Sequence, residues 1–190
     1  MASHILVLNV GSSSVKFSVW TVAPDTHRTL ALLQRGAVTD IGAGARFNVL
    51  DHSGTPQVAD ATCITAAEDT HALALQRILI WLDANFPGVE FHAVGHRVVH
   101  GGDHYAQAVR VDAAVLADLR ALIPLAPLHQ LHSLKAIEVL AQLRPQLMQV
   151  ACFDTAFHQA QPPLARRLRA ASRYRARCTN PESSAMDFMD

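Results

Sequence analysis

The sequence has little cysteine and no excess charge of either sign. Its cysteines, Cys63, Cys152 and Cys178, are widely spaced and odd in number, which argues against a disulfide framework and a cysteine-rich zinc site. Sixteen basic residues balance sixteen acidic ones, so net charge gives no reason to expect nucleic acid or an anionic membrane as a partner. Together these features favour a protein of the reducing cytoplasm.

Long apolar runs and a basic leader are also missing. No run approaches the roughly 18 residues that span a bilayer, and the chain enters a predicted strand after four residues. We therefore expect no membrane association and no processing. Half of the 190 residues are nevertheless hydrophobic, which is enough for the core of one ordinary to large domain.

The opening segment, residues 5–20, predicts a hairpin around a small polar turn. An apolar run meets an alternating segment through Gly11, Ser12, Ser13 and Ser14, with Lys16 just beyond. Backbone N–H groups, hydroxyls and one ammonium at such a turn can converge on an anion, and phosphate is the natural guest. The segment fits neither the Walker A pattern nor the dinucleotide fingerprint. A plain turn of glycine and serine is the competing interpretation.

The rest of the chain alternates short strands with helices, which predicts an α/β fold. Strands are expected at 29–38, 45–50, 91–99 and 148–153. One helix is expected from the capping-box pattern of Thr65 and Glu68 to Phe86, and a second after a cap at Asp112. A third is expected over about 133–143, after a break at Pro124 and Pro127.

The last part of the chain differs in composition. Residues 164–190 begin with a run of arginines and continue into a polar tail without a strand or a strongly amphipathic helix. We divide the chain into a domain over 1–163 and a basic tail over 164–190 that is expected to be poorly ordered. Nucleic-acid binding by the tail is not favoured, because no aromatic pairs or known binding module accompany the arginines.

Three later residues could carry chemistry, each with a simpler alternative. Arg97 lies in an apolar strand, where it forms either a structural ion pair or a two-pronged grip on a carboxylate or phosphate. His129 follows Pro127 and either hydrogen-bonds within the core or donates to a transferring phosphoryl group. Asp154 directly follows the last strand, where it either orients a metal or another group or simply ends the strand.

Four segments, 9–16, 95–102, 125–129 and 153–159, resemble in order and spacing the N-terminal half of the acetate kinase family, and the resemblance extends to about Pro162. It implies a ribonuclease-H-like fold of the sugar kinase, Hsp70 and actin superfamily, with a mixed sheet flanked by helices. The implied reaction is reversible transfer of the γ-phosphoryl group of ATP to acetate, giving ADP and acetyl phosphate, with Mg²⁺. Propionate kinases share these motifs, and the full-length family implies a homodimer.

The resemblance also implies roles for single residues. Asn9 would help to hold the metal, and Lys16 with the glycine and serines of its loop would bind nucleotide phosphates. Arg97 would bind the substrate or the transferring group, His129 would stabilise its equatorial charge, and Asp154 would be the catalytic acid. Acetate, with a pKa near 4, is already ionised at neutral pH. Asp154 is therefore expected to orient the metal, its waters or Arg97 rather than to act as a base.

Two departures from the family pattern stand out. Residues 130–133 replace an Asn-Pro segment beside His129, which leaves the shape of the pocket there open. The family also continues into a second domain with the adenosine pocket, a further histidine and arginine, and a metal-binding glutamate. We therefore expect a truncated or frame-shifted gene product with little kinase activity alone. The alternative is a non-catalytic module that self-associates or pairs with a full-length kinase.

Overall fold

The structure is a computed structural model that describes residues 3–23, 29–64, 70–102 and 104–156. The capping-box pattern at Thr65 and Glu68, the end of the fourth motif and the basic tail over 164–190 lie outside the described residues.

The described residues form one mixed sheet and three α-helices. The strands are β1 (Ser3–Val10), β2 (Val15–Val22), β3 (Leu30–Thr39), β4 (Ala45–Asp51), β5 (Pro56–Ile64), β6 (Phe91–Val98), β7 (Val109–Arg110) and β8 (Met148–Phe153). The helices are α1 (Thr70–Asn85), α2 (Ala113–Ala121) and α3 (Pro127–Leu143), with a 3₁₀ turn at Ile123–Leu125. The strand order is β5-β4-β3-β2-β1-β6-β8-β7. A mixed sheet flanked by helices is the predicted fold class, which is thereby confirmed.

The sheet combines an antiparallel meander with a parallel part. β1 to β5 pair antiparallel with their neighbours, while β6 runs parallel to β1 and β8 parallel to β6. The predicted hairpin of β1 and β2 is confirmed, with Val10 paired to Val15 across the turn. Parallel neighbours end at the same edge, so the carboxyl ends of β1, β6 and β8 meet.

One face of the sheet carries the core, and all three helices contribute to it. Alternate residues of β1 and β2 are buried there, because side chains alternate along a strand: Leu6, Leu8 and Val10 of β1, and Val15, Phe17 and Val19 of β2. Phe17 packs against Phe47 and Trp81, at 6.2 and 5.8 Å between ring centroids. Gly36 lies opposite Phe17 on β3, and a Cβ at Gly36 would lie 2.5 Å from the Phe17 ring. Glycine at this position lets the large ring cross the neighbouring strand.

The helix boundaries confirm one prediction and correct another. Asp112 caps α2, since its Oδ1 accepts a hydrogen bond of 2.9 Å from the Val115 N–H. α3 begins at Pro127, not near residue 133, so the predicted start was wrong. Proline has no N–H to lose at the first helical position, and its fixed φ suits a helix start. His129 therefore lies in the first turn of α3. Within the described ranges, no helix has the length and apolarity needed to cross a membrane.

A buried polar pair joins the sheet to α3. His96 Nε2 lies 2.8 Å from Gln149 Oε1, and Gln149 Nε2 donates to the Ile137 carbonyl at 3.1 Å. Burial lowers the pKa of His96 to about 4, so the ring is neutral at pH 7. The amide oxygen can only accept, which means that His96 Nε2 carries the proton and donates.

Candidate active site

The predicted site residues come from strands whose carboxyl ends meet. Asn9 is near the end of β1, Arg97 near the end of β6, and Asp154 directly follows β8. The Asp154 N–H donates to the Val98 carbonyl at 3.1 Å, which holds the start of this loop against β6. Residues far apart in the sequence are thus brought to one edge of the sheet.

Arg97 joins Asp154 and Asn9 through its guanidinium. Its Nε lies 3.0 Å from both carboxylate oxygens of Asp154, and its Nη2 donates to Oδ2 at 2.7 Å. Its Nη1 donates to Asn9 Oδ1 at 3.2 Å. The hydrogen bond with Asp154 raises the pKa of Arg97 above its already high ordinary value, so the guanidinium stays charged.

This ion pair lies on the open face of the sheet. The Arg97 and Asp154 side chains are 53% and 40% exposed, so the alternative of a buried structural pair does not fit. Side chains alternate along β6, and Arg97 points away from the face that the helices cover. A partly exposed guanidinium at a strand end remains accessible to an anionic ligand.

Lys16 lies on the same face, one strand beyond Asn9. Lys16 and Asn9 are directly paired across β1 and β2, and directly opposed residues point to the same side of a sheet. Leu8 pairs with His96, which places Arg97 beside Asn9 on the other flank. Because neighbouring strands are about 4.8 Å apart, the Lys16 and Arg97 backbones are separated by roughly 10 Å. Two cations therefore flank the Asn9 amide on this face of the sheet.

The turn between β1 and β2 has three carbonyl groups, those of Gly11, Ser13 and Ser14, engaged in hydrogen bonds. The Gly11 N–H donates to the Ser14 carbonyl at 2.8 Å, and the Ser13 carbonyl accepts from the Ile41 N–H at 3.1 Å. The Gly11 carbonyl lies 2.8 Å from His71 Nε2. Among the described residues, none accepts a hydrogen bond from the amides of residues 12–14. Free amides on a tight polar turn form an anion-binding surface.

His129 is a predicted site residue that no hydrogen bond or ion pair of the described residues joins to Arg97. It is exposed, and its backbone N–H donates to the Ala126 carbonyl at 3.1 Å. Within the described part of the chain, no hydrogen bond links its ring to Arg97, Asp154 or Asn9. The charge of His129 contributes to lowering the pKa of His132, which lies one turn further along α3.

Two residues that fix the loop after β6 were not predicted from the sequence. Gln130 is fully buried; its Oε1 accepts from the His100 N–H at 3.2 Å, and its Nε2 donates to the His100 carbonyl at 3.0 Å. Thr155 Oγ1 accepts from the Gly101 N–H at 3.1 Å. Both act through contacts between residues that are far apart in the sequence, so no local sequence pattern indicates them.

Three cavities lie away from this edge of the sheet. They have volumes of about 440, 410 and 500 Å³ and are lined by residues such as Leu6, Met148 and His4. These residues belong to the opposite halves of their strands. The candidate site is instead an exposed surface at the carboxyl ends of β1, β6 and β8.

Comparisons with known proteins show the family to which the chain is similar. The model of the Acetokinase family matches residues 4–176. The acetate kinase of Rhodopseudomonas palustris strain TIE-1 is 40% identical over 165 residues, covering 87% of this chain and 40% of the relative. That of Rhizobium meliloti is 42% identical over 156 residues, covering 82% and 38%. The chain thus spans about two fifths of the length of these curated relatives.

Solved structures give the same result. A propionate kinase from Francisella tularensis subsp. tularensis SCHU S4 matches with a TM-score of 0.70 and 34% identity over 84% of this chain and 39% of that one. The acetate kinase of Porphyromonas gingivalis matches with a TM-score of 0.69, 34% identity and the same coverage. These matches confirm the fold expected from the four motifs. The chain belongs to the acetate kinase family.

Proposed function

We propose that this chain carries the phosphate-binding and acyl-binding part of a kinase site that transfers the γ-phosphoryl group of ATP reversibly to acetate or propionate. The observation that carries the proposal is the row of Lys16, Asn9 and Arg97 beside the turn at residues 11–14. In-line phosphoryl transfer is chiefly a matter of positioning and charge neutralisation. A pair of cations next to free amides suits that task.

Each residue has a role that follows from its chemistry. The turn amides and Lys16 would bind nucleotide phosphates, because both offer donors and positive potential. Arg97 would bind the carboxylate or the transferring group through its planar fork. His129, in the first turn of α3, would stabilise equatorial charge on the phosphoryl group as that group approaches.

Asp154 would act through Arg97 and the metal rather than as a base. Acetate is already an anion at neutral pH, so no proton must be removed to make it a nucleophile. The bonds from Nε and Nη2 of Arg97 to Asp154 fix the plane of the guanidinium. A fixed plane reduces the entropy lost when Arg97 binds its ligand.

The oxygen donors at the strand ends fit Mg²⁺. Asn9 Oδ1 and the Asp154 carboxylate are both held by Arg97, and Mg²⁺ prefers such hard oxygen ligands. In the described ranges no cluster of three His, Cys, Asp or Glu side chains could hold a metal. Asn9 and Asp154 would therefore hold Mg²⁺ directly or through water, together with nucleotide phosphates. When bound, the ion neutralises phosphate charge during transfer.

Turnover by the purified 190-residue chain is expected to be weak. The chain spans about two fifths of its relatives, and the Arg97–Asp154 pair is open to solvent. Transfer needs a site that excludes water, since water competes as an acceptor. A coupled assay should show little acetyl phosphate formation, and family-like turnover would contradict this expectation.

Ligand binding tests the proposal more directly. We expect titration calorimetry to show magnesium-dependent binding of ADP that Lys16→Ala and Arg97→Ala each weaken. Arg35→Ala is the matched control, because Arg35 is exposed and pairs with Ser18 on the same open face. If all three variants bind like the wild type, the anion does not lie between Lys16 and Arg97.

A further inference from the structure

His71 contacts the phosphate turn from the helical side of the sheet. It lies in the first turn of α1, and its Nε2 is 2.8 Å from the Gly11 carbonyl oxygen. A carbonyl oxygen can only accept a hydrogen bond, so His71 Nε2 carries the proton and donates. This bond joins residues 60 positions apart in the sequence. Neither the four motifs nor the roles implied by the family resemblance include His71.

The bond to His71 determines where the next amide points. The Gly11 carbonyl and the Ser12 N–H belong to one peptide unit, and this peptide is trans, as are all those of the described residues. In a trans peptide these two groups point in opposite directions. When His71 holds the carbonyl toward α1, the Ser12 N–H must point away from α1, where a ligand can reach it.

A second anchor acts in the same way on the other side of the turn. The Ile41 N–H binds the Ser13 carbonyl at 3.1 Å, which directs the Ser14 N–H away from Ile41. Two engaged carbonyls therefore present two free amides. If either peptide flipped, a carbonyl oxygen would face the ligand and repel a phosphate.

His132 packs on the ring of His71. The two ring centroids are 4.6 Å apart and the planes differ by 23°, so the rings are stacked. Burial lowers the pKa of His132, and the charges of His71, His129 and Lys135 lower it further. A lowered pKa favours the neutral form of the His132 ring at pH 7, so the ring stacks without adding a positive charge. α3 thereby holds His71 in the rotamer that reaches Gly11.

We propose that His71 is a positioning residue of the phosphate site, which fixes the Gly11–Ser12 peptide with its N–H toward the phosphate, while His132 holds the His71 ring by stacking. The inference rests on the proposed function, because it assumes that the turn binds phosphate. It goes beyond that function by assigning the orientation of the turn to two stacked histidines on the helical side of the sheet.

The test compares His71→Ala with His71→Gln in the 190-residue chain, using Mg·ADP as the probe. The glutamine amide nitrogen can take the place of Nε2 and donate to Gly11, whereas alanine cannot. We expect His71→Ala to weaken binding about tenfold and His71→Gln by less than about threefold, as for the loss and the retention of one hydrogen bond. His52→Ala, in an exposed turn, should bind like the wild type.

Amide spectra provide a measurement that should not change if His71 only stabilises the fold. In ¹⁵N-labelled chain we expect the ¹H and ¹⁵N signals of the Ser12 amide to shift or broaden in His71→Ala and to return in His71→Gln. Should His71→Ala fail to fold, His132→Ala removes the stacking alone and is expected to shift the same signals. Unchanged signals in the folded variants would overturn the positioning role.

The two hypotheses fail in different ways. The role of His71 is overturned if His71→Ala binds Mg·ADP as tightly as the wild type, or if His71→Ala and His71→Gln weaken binding equally. The proposed function stands in both cases, because the wild-type chain still binds the nucleotide. A wild-type chain that binds no Mg·ADP contradicts the proposed function, and the amide signals then decide by themselves whether His71 orients the turn.

Discussion

Arg97 illustrates how a single residue can be assigned from its position in a strand. Its place in an apolar segment suggested a charge with a partner, and the structure supplies both Asp154 and Asn9. The sequence could not show on which face Arg97 lies, because that depends on which side the helices cover. Its exposure makes a ligand-binding role compatible with the fold.

At Arg97 we predict that a substitution weakens ligand binding and leaves the stability of the fold almost unchanged. Arg97→Ala should change the free energy of unfolding by less than about 1 kcal/mol, since exposed ion pairs contribute little. Urea denaturation measures this quantity, and the calorimetric titration measures the accompanying loss of binding. A loss of several kcal/mol would instead assign Arg97 a structural role.

At His96 we predict a loss of stability in acid. The folded-state pKa is lowered to about 4, below the ordinary value near 6.5, so the unfolded chain binds the proton first as the pH falls. Stability should fall by roughly 3 kcal/mol between pH 6.5 and 4 from this residue alone. Urea denaturation across this range measures the change.

The control for His96 is on the same strand. His96→Gln removes the titrating group and should flatten the acid dependence, whereas His92→Gln, at an exposed position, should leave it unchanged. Equal slopes for the wild type and His96→Gln would show that burial does not lower the pKa of His96 in the folded protein.

At the scale of elements, strong local patterns were predictable and long-range ones were not. The β1–β2 hairpin and the Asp112 cap follow from neighbouring residues, and both were found. The start of α3 at Pro127 was missed because the prolines were taken only as a break. β5 begins at Pro56 on the sheet edge and β7 has two residues, so neither gives a clear alternating pattern. His71 and Gln130 act through contacts that only the fold creates.

Gln130 ties α3 to the loop after β6. Gln130→Ala would leave the His100 N–H and carbonyl without this partner, and we expect it to cost about 1–3 kcal/mol of unfolding free energy. Gln142→Ala, at an exposed position of the same helix, should cost less than about 0.5 kcal/mol. Thermal and urea unfolding compare the two variants, and equal losses of unfolding free energy would contradict a role of Gln130 in holding this loop.

At the scale of the whole molecule, the proposed site residues lie on the face of the sheet that the described helices leave open. The helices cover one face of the sheet, while Lys16, Asn9 and Arg97 lie on the other. Several large apolar side chains are exposed in the described part, among them Leu125 at 62% and Ile80 at 53%. Such exposure also suits the alternative of a module that pairs with itself or with a longer kinase.

Light scattering with and without Mg·ADP separates these alternatives. The kinase interpretation predicts magnesium-dependent nucleotide binding, whatever the oligomeric state of the chain. An oligomer that is insensitive to nucleotide, in a chain that binds none, would favour the non-catalytic module. Leu125→Ser should then reduce its mass if that exposed side chain lies in the contact.

A crystal structure of the chain soaked with Mg·ADP tests the central claim most directly. We predict that the terminal phosphate lies about 3 Å from amides of the turn at residues 11–14, a hydrogen-bond distance, and between Lys16 and Arg97. A nucleotide bound at the opposite ends of the strands, or no phosphate between these two cations, would contradict the account.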